Sequence, residues 1–143
     1  MYKKILLPTD GSKFANEAAK QAILIADKFK AEIIALYVIE ERRIDGIRRG
    51  ELMTKIETIL TQEARMALKE VTNILKKSEK DVKITFKTRQ GNPADQILKT
   101  IQTDNIDLVV MGTAGRHGLD RFRFGSVAEN VVRYATCHVL VVH

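Results

Sequence analysis

The sequence predicts a three-layer α/β sandwich: a mostly parallel five-stranded sheet in the order 3-2-1-4-5, with helices on both faces. Three observations predict it. Short apolar runs alternate with amphipathic helical stretches along the whole chain, the pattern of repeated β-α-β units. Two runs, EIIALYVI at 32–39 and DLVVM at 107–111, are apolar with little alternation, as strands covered on both faces are. A third, VKITFKT at 82–88, alternates with lysine and threonine, which suits a sheet edge. Right-handed crossovers leave few orders for five such strands.

Each element has its own local reason. KKILLP at 3–8 is a short buried strand candidate. Residues 12–30 follow as a helix whose apolar face is expected at Phe14, Ala18, Ala22, Ile25 and Phe29. After the strand at 32–39, the polar stretch EERRIDGIRRG at 40–50 reads as a loop. A long helix over 51–78 is predicted by the stripe Leu52, Ile56, Leu60, Ala64, Ala67, Val71 and Leu75. In the strand at 82–88, Val82, Ile84 and Phe86 share one face. Asn92 then suits a helix N-cap and Pro93 the first helical position, with Ile97, Leu98 and Ile101 facing inward. A helix over 126–135 opens with Ser126 and Glu129 at capping-box spacing, and HVLVV at 138–142 is the last strand.

At 143 residues the chain fits one domain, 1–143, able to bury roughly 70% of its unfolded surface. Cys137 is the single cysteine, so no internal disulfide forms, as a reducing interior prefers; it reads as a small buried hydrophobe. The start MYKKILLPTD has too short an apolar run for a signal peptide, and no stretch approaches a membrane span, so a cytoplasmic location is expected. The net charge of +6 raises nucleic acid as a partner. The lysines are spread along the chain without interleaved aromatics, which favours a solvated basic surface instead. His117, His138 and His143 show no metal-ligand spacing.

The order 3-2-1-4-5 leaves the fifth strand at an edge. Val139-Leu140-Val141-Val142 carries no proline or charge and is an open pairing template, from which a homodimer through 138–142 is expected.

The most unusual stretch is GTAGRHGLDRFRFGS at 112–126, with four glycines and three arginines. In doubly wound sheets, ligands sit beyond the carboxyl ends of the strands where the order reverses, here between strands one and four. Strand one ends in Pro8-Thr9-Asp10 and strand four in Met111-Gly112, so the glycine loop falls at that point. Glycine lets an anion approach backbone amides, and a helix starting at Ser126 adds free N–H groups and the positive end of its dipole. Gly112, Gly115, Gly125, Ser126 and the amide of Val127 are thus candidate phosphate holders. Four charged hydrogen bonds contribute roughly 6–12 kcal/mol against about 4–15 for association. A second anchor is therefore needed. Asp10 can accept from a ribose or an exocyclic amine, and the backbone at Val38, ending strand two, can meet a base edge. A structural reading stands beside this one: glycines close turns for packing, Ser126 suits a cap, and Asp10 with Ser12 suits the cap of the first helix.

Several established motifs are absent. The glycines are not spaced GxGxxG and follow strand four rather than strand one; there is no G-x-x-x-x-G-K-[ST] and no G-x-S-x-G.

At this junction the chain resembles the universal stress protein family. The family's nucleotide signature is glycine, two residues, glycine, nine residues, then glycine and serine or threonine; Gly112, Gly115, Gly125 and Ser126 match it. ILLPTDGS at 5–12, ALYVIE at 35–40, GNPADQI at 91–97, DLVVMGTAGRHGL at 107–119, GSVAENVV at 125–132 and HVLVV at 138–142 extend the likeness over the whole chain. The resemblance implies an adenine nucleotide alpha hydrolase-like fold that dimerises through its last strand. It implies ATP or AMP as ligand, often with a divalent ion such as Mg2+ or Mn2+. Carried over by position, Asp10 and Val38 meet adenine or ribose, Gly112 and Gly115 lie by the ribose and α-phosphate, and Gly125, Ser126 and Val127 hold the outer phosphates. Pro8 and Thr9 shape the wall, with Met111 beneath. Many relatives carry His or Arg where this chain has Ala114, so Arg116, His117, Arg121 and Arg123 are left unassigned. The implied function is a dimeric, nucleotide-binding stress-response module that presents a ligand-dependent surface to a protein partner. The alternatives are a slow ATPase or autophosphorylating enzyme on the same fold, and a ligand-free dimeric interaction module. No residue is assigned as catalytic or as a metal ligand.

Overall fold

The computed structural model describes residues 1–40, 49–114 and 124–143, with the backbone alone for 49–58 and 60. The elements run β1 (Lys4–Pro8), α1 (Lys13–Phe29), β2 (Glu32–Ile39), α2 (Arg49–Ser78), β3 (Ile84–Gln90), α3 (Pro93–Thr103), β4 (Leu108–Gly112), α4 (Ser126–Tyr134) and β5 (His138–Val142). The sheet order is β3-β2-β1-β4-β5, as the sequence predicts, and every pairing is parallel.

Two cores lie on opposite faces of the sheet. One joins Ile5, Leu7, Ile33, Ala35 and Val110 to α1 and to Val71 and Ile74 of α2. The other joins Leu6, Ile34, Leu36, Val109 and Met111 to Ile97 and Ile101 of α3 and Ala128 and Val131 of α4. Alternate residues of one strand feed opposite cores because successive side chains point to opposite faces. Each fully buried Ile or Leu contributes about 1.5–3 kcal/mol. Exposed ion pairs such as Lys20–Glu17 contribute at most ~1 kcal/mol, so the two cores hold the sandwich together.

Three local expectations change. The buried face of α1 is Ala15, Ala18, Ala19, Ala22, Ile23 and Ala26, while Phe29 is 43% exposed. Small side chains let the helix axis come close to the sheet, and the larger residues move to its flanks. β3 starts at Ile84, with Val82 buried before it and Phe86 44% exposed at the edge. α2 begins at Arg49; Ala64, Ala67, Val71 and Ile74 are buried, and the expected stripe at Leu52, Ile56 and Leu60 lies outside the described side chains. α3 forms as read: Asn92 Oδ1 accepts from the Asp95 N–H at 3.1 Å, and Pro93 occupies the first turn.

Candidate functional site

A crevice opens where β1 and β4 part. Along β1 the backbone groups alternate sides: the Thr9 N–H donates to Leu36 O of β2 at 2.9 Å, whereas Lys4 O accepts from the Asp107 N–H at 2.9 Å on the β4 side. The next even-numbered donor beyond Leu6 belongs to Pro8, which has no N–H. Pairing with β4 accordingly ends at Leu6–Val109, while pairing with β2 continues to Pro8–Leu36. No β1–β4 pairing extends beyond that pair, so Pro8, Thr9 and Asp10 are not bonded to β4 at the point where the strand order reverses.

The β1 side of the crevice is held by its own side chains. Thr9 is buried, and its Oγ1 accepts from the Gly11 N–H at 3.2 Å. Gly11 has φ of +79°, a conformation glycine adopts freely. Asp10 Oδ1 accepts from the Ser12 N–H at 2.9 Å, and Ser12 Oγ caps α1 through the Ala15 N–H at 3.2 Å. The expected capping arrangement of Asp10 and Ser12 is thus present, and it fixes where the Asp10 carboxylate sits.

The β4 side carries the start of α4. Met111 and Thr113 are buried, and the Thr113 N–H continues the ladder to Val142 O at 2.9 Å. Thr113 O accepts from the Gly125 N–H at 2.7 Å, which ties the start of α4 to the end of β4. Gly125 is the N-cap residue, with φ of −63° and ψ of 160°, and among the described residues no side chain caps α4. The predicted capping box does not form. Ser126 is the first helical residue, and Glu129 instead pairs with Arg133 at 3.4 Å. The first intrahelical donor is the Glu129 N–H, to Gly125 O at 3.0 Å, so the amides of Ser126, Val127 and Ala128 precede the helical ladder. With the exposed Ser126 hydroxyl they form a set of donors suited to phosphate oxygens.

Two of the remaining predicted residues, Val38 and Gly112, are described. Val38 lies near the end of β2, half-buried against the core beneath α3 and α4, in register with Arg89. Gly112 ends β4. Gly115 lies outside the described residues, as do Arg116, His117, Arg121 and Arg123. Sequence reasoning missed Thr113 as the carbonyl that anchors α4, and Gly11 as the positive-φ pivot of the first turn. The Asp10-Gly11-Ser12 triplet was the available signal for the second.

The shifted titrations fall elsewhere. The backbone N–H groups of Lys4 and Lys3 donate to one oxygen of Asp107, at 2.9 and 2.8 Å, and hold that carboxyl below its usual range. The hydrogen bond from Lys87 does the same for Asp104. Burial pushes the Cys137 thiol up. Among the described residues no group of three or more His, Cys, Asp or Glu side chains is arranged to hold a metal ion, and no helix is long and apolar enough to cross a membrane.

Comparison with known proteins covers the full chain. A family model described as the universal stress protein family matches residues 1–143. The universal stress protein MJ0531 of Methanocaldococcus jannaschii is 43% identical over 142 residues, covering 99% of this chain and 82% of that one. Among solved structures, universal stress protein UspA from Lactobacillus plantarum superposes with a TM-score of 0.83 at 28% identity, covering 99% of this chain and 98% of the other. The structure of the hypothetical protein MJ0577 does so with 0.80 at 34%, covering 99% and 96%. More distant structures share the fold and contain nucleotides: a universal stress protein with cAMP (23% identity, TM-score 0.68), one from Archaeoglobus fulgidus with dAMP (20%, 0.71) and one from Arabidopsis thaliana with AMP (18%, 0.69).

Proposed function

This chain belongs to the universal stress protein family, and from that premise we propose that it binds an adenine nucleotide, ATP or AMP, in the crevice between β1 and β4. The observation that carries the reading is the helix start at Gly125. It is tethered to Thr113 O, no described side chain caps it, and it stands over the carboxyl end of the sheet where the two strands part. The amides of Ser126 and Val127 and the Ser126 hydroxyl hold the outer phosphates. Asp10 and the backbone at Val38 take the ribose or adenine, Gly112 and Gly115 lie by the ribose and α-phosphate, and Pro8, Thr9 and Met111 wall the pocket. Nucleotide complexes of proteins with this fold support the ligand class.

A divalent ion accompanying ATP would be held chiefly by phosphate oxygens and water, as Mg2+ is, with no residue of this chain assigned to it. The protein then acts as a dimer through the outer edge of β5, presenting a nucleotide-dependent surface to a protein partner. Binding, rather than turnover, is what the arrangement supplies.

Mass spectrometry of the small molecules released from natively purified protein tests this reading, together with a thermal shift on adding ATP. Bound AMP or ATP and a raised melting temperature are expected. Protein that releases no nucleotide and melts unchanged in millimolar ATP removes the proposal in favour of a ligand-free module. Single-turnover assays with labelled ATP decide between binding and the slow-enzyme alternative.

A further inference from the structure

Gly112 is the first glycine of the nucleotide signature, yet its missing side chain faces protein. A Cβ built on it would lie 2.8 Å from both the backbone carbonyl carbon and the Cβ of Phe14, and 3.0 Å from Phe14 O. Real Cβ atoms do not approach that closely, and a main-chain atom cannot swing aside. Its φ is not in the left-handed region, so backbone conformation does not demand glycine here; close approach does. Gly125 differs, since a Cβ there would meet Ala114 Cα and Thr113 O at 3.4 Å, close to ordinary contact.

Phe14 stands in the first turn of α1, one residue before Ala15, whose N–H is capped by Ser12; the Ser12 N–H in turn is held by Asp10. On the other side of Gly112, Thr113 carries the carbonyl that anchors Gly125 and α4. Gly112 therefore sits between the two walls of the crevice: the Asp10 turn that leads into α1 and the donor set at the start of α4. Glycine plays the same part in other α/β turns, where a missing side chain permits close packing of helix on strand.

We propose that Gly112 is a positioning residue whose lack of a side chain sets the distance between the start of α1 and the end of β4, and so aligns Asp10 with the α4 amides for a nucleoside phosphate. This rests on the nucleotide-binding reading above. Adding a Cβ pushes the Phe14 turn outward and moves Asp10 with it. The α4 amides stay tied to Thr113. The nucleoside end of the ligand is disturbed and the phosphate end is not.

The experiment compares wild type, Gly112→Ala and Gly125→Ala by calorimetric titration with ATP, adenosine and inorganic tripolyphosphate. Backbone NMR shifts of Gly11, Ser12 and Ala15 are recorded without ligand. For Gly112→Ala, ATP and adenosine affinity are expected to fall about tenfold to a hundredfold, the scale of one hydrogen bond to a charged group, with tripolyphosphate changed less than about twofold. The three amide shifts move in Gly112→Ala and not in Gly125→Ala. An equal loss for tripolyphosphate, or unmoved amide shifts, overturns the proposal. If wild type takes up no nucleotide, the binding reading falls by itself, and the amide shifts alone decide the spacing role. Should Gly112→Ala not fold, the wild type decides the contact: nuclear Overhauser signals between the Gly112 Hα and Phe14 Hβ protons are expected from the close approach of the two residues, and their absence overturns the proposal.

Discussion

The Gly125 N–H donates to Thr113 O at 2.7 Å, and this single bond ties the first turn of α4 to the end of β4 across the residues that separate them in sequence. Gly125→Pro removes it. Proline adopts the observed φ of −63° but lacks the donor, and its ring Cδ replaces the hydrogen that points at Thr113 O. A stability loss of more than about 1–2 kcal/mol in urea melts is expected, with weaker ATP binding. A variant with the wild-type midpoint shows that the bond does not organise the site.

Ser126 separates a capping role from a ligand role. Its side chain makes no capping bond, so Ser126→Ala should change stability by less than about 0.5 kcal/mol. ATP affinity should fall about three- to tenfold, the worth of one hydrogen bond. A drop in melting midpoint equivalent to ~1 kcal/mol, the usual value of an N-cap, restores the capping reading.

Asp10→Asn keeps an acceptor for the Ser12 N–H and removes the charge. Adenosine binding should weaken by about tenfold, while tripolyphosphate binding holds or strengthens as a nearby negative charge disappears. Equal weakening of both ligands would falsify the assignment of Asp10 to the nucleoside.

The outer edge of β5 is the basis of the proposed dimer. Val142 O faces β4, where it accepts from the Thr113 N–H, so by alternation the backbone groups of Val139 and Val141 face away from the sheet. Val141→Lys places a charge on that edge, and sedimentation should show the proposed dimer becoming monomer. A dimer that persists must use another surface.

Asp107 links stability to pH. Its carboxyl titrates lower in the folded protein than in the unfolded chain because it accepts from the Lys4 and Lys3 amides. That contribution is therefore complete above the ordinary aspartate value of about 3.9 and is lost as pH falls through the folded one. Urea melts of wild type and Asp107→Asn should differ most near neutral pH and converge in acid. A gap that stays constant down to pH ~3 contradicts the linkage.

Legibility followed the range of the forces involved. Asn92 and Pro93 predicted the start of α3 correctly because capping acts over three residues. Ser126 and Glu129 had the same local credentials and failed, because the Gly125–Thr113 bond shifts the helix start by one residue. The inner face of α1 departs from the expected one at Phe29, since the sheet favours alanines for close approach and leaves the larger side chain exposed at the flank.

By itself, the amino-acid order determined the alternation of strands and helices, the strand order and the place where that order reverses. These depend on hydrophobic period, turn residues and crossover handedness, all carried within or between neighbouring elements. Only the tertiary structure decided that Pro8 halts the β1–β4 ladder, that α4 is anchored at Thr113, and that the missing side chain of Gly112 makes room for Phe14. Those are contacts between segments roughly a hundred residues apart in two of the three cases, and no local pattern encodes the distance of closest approach.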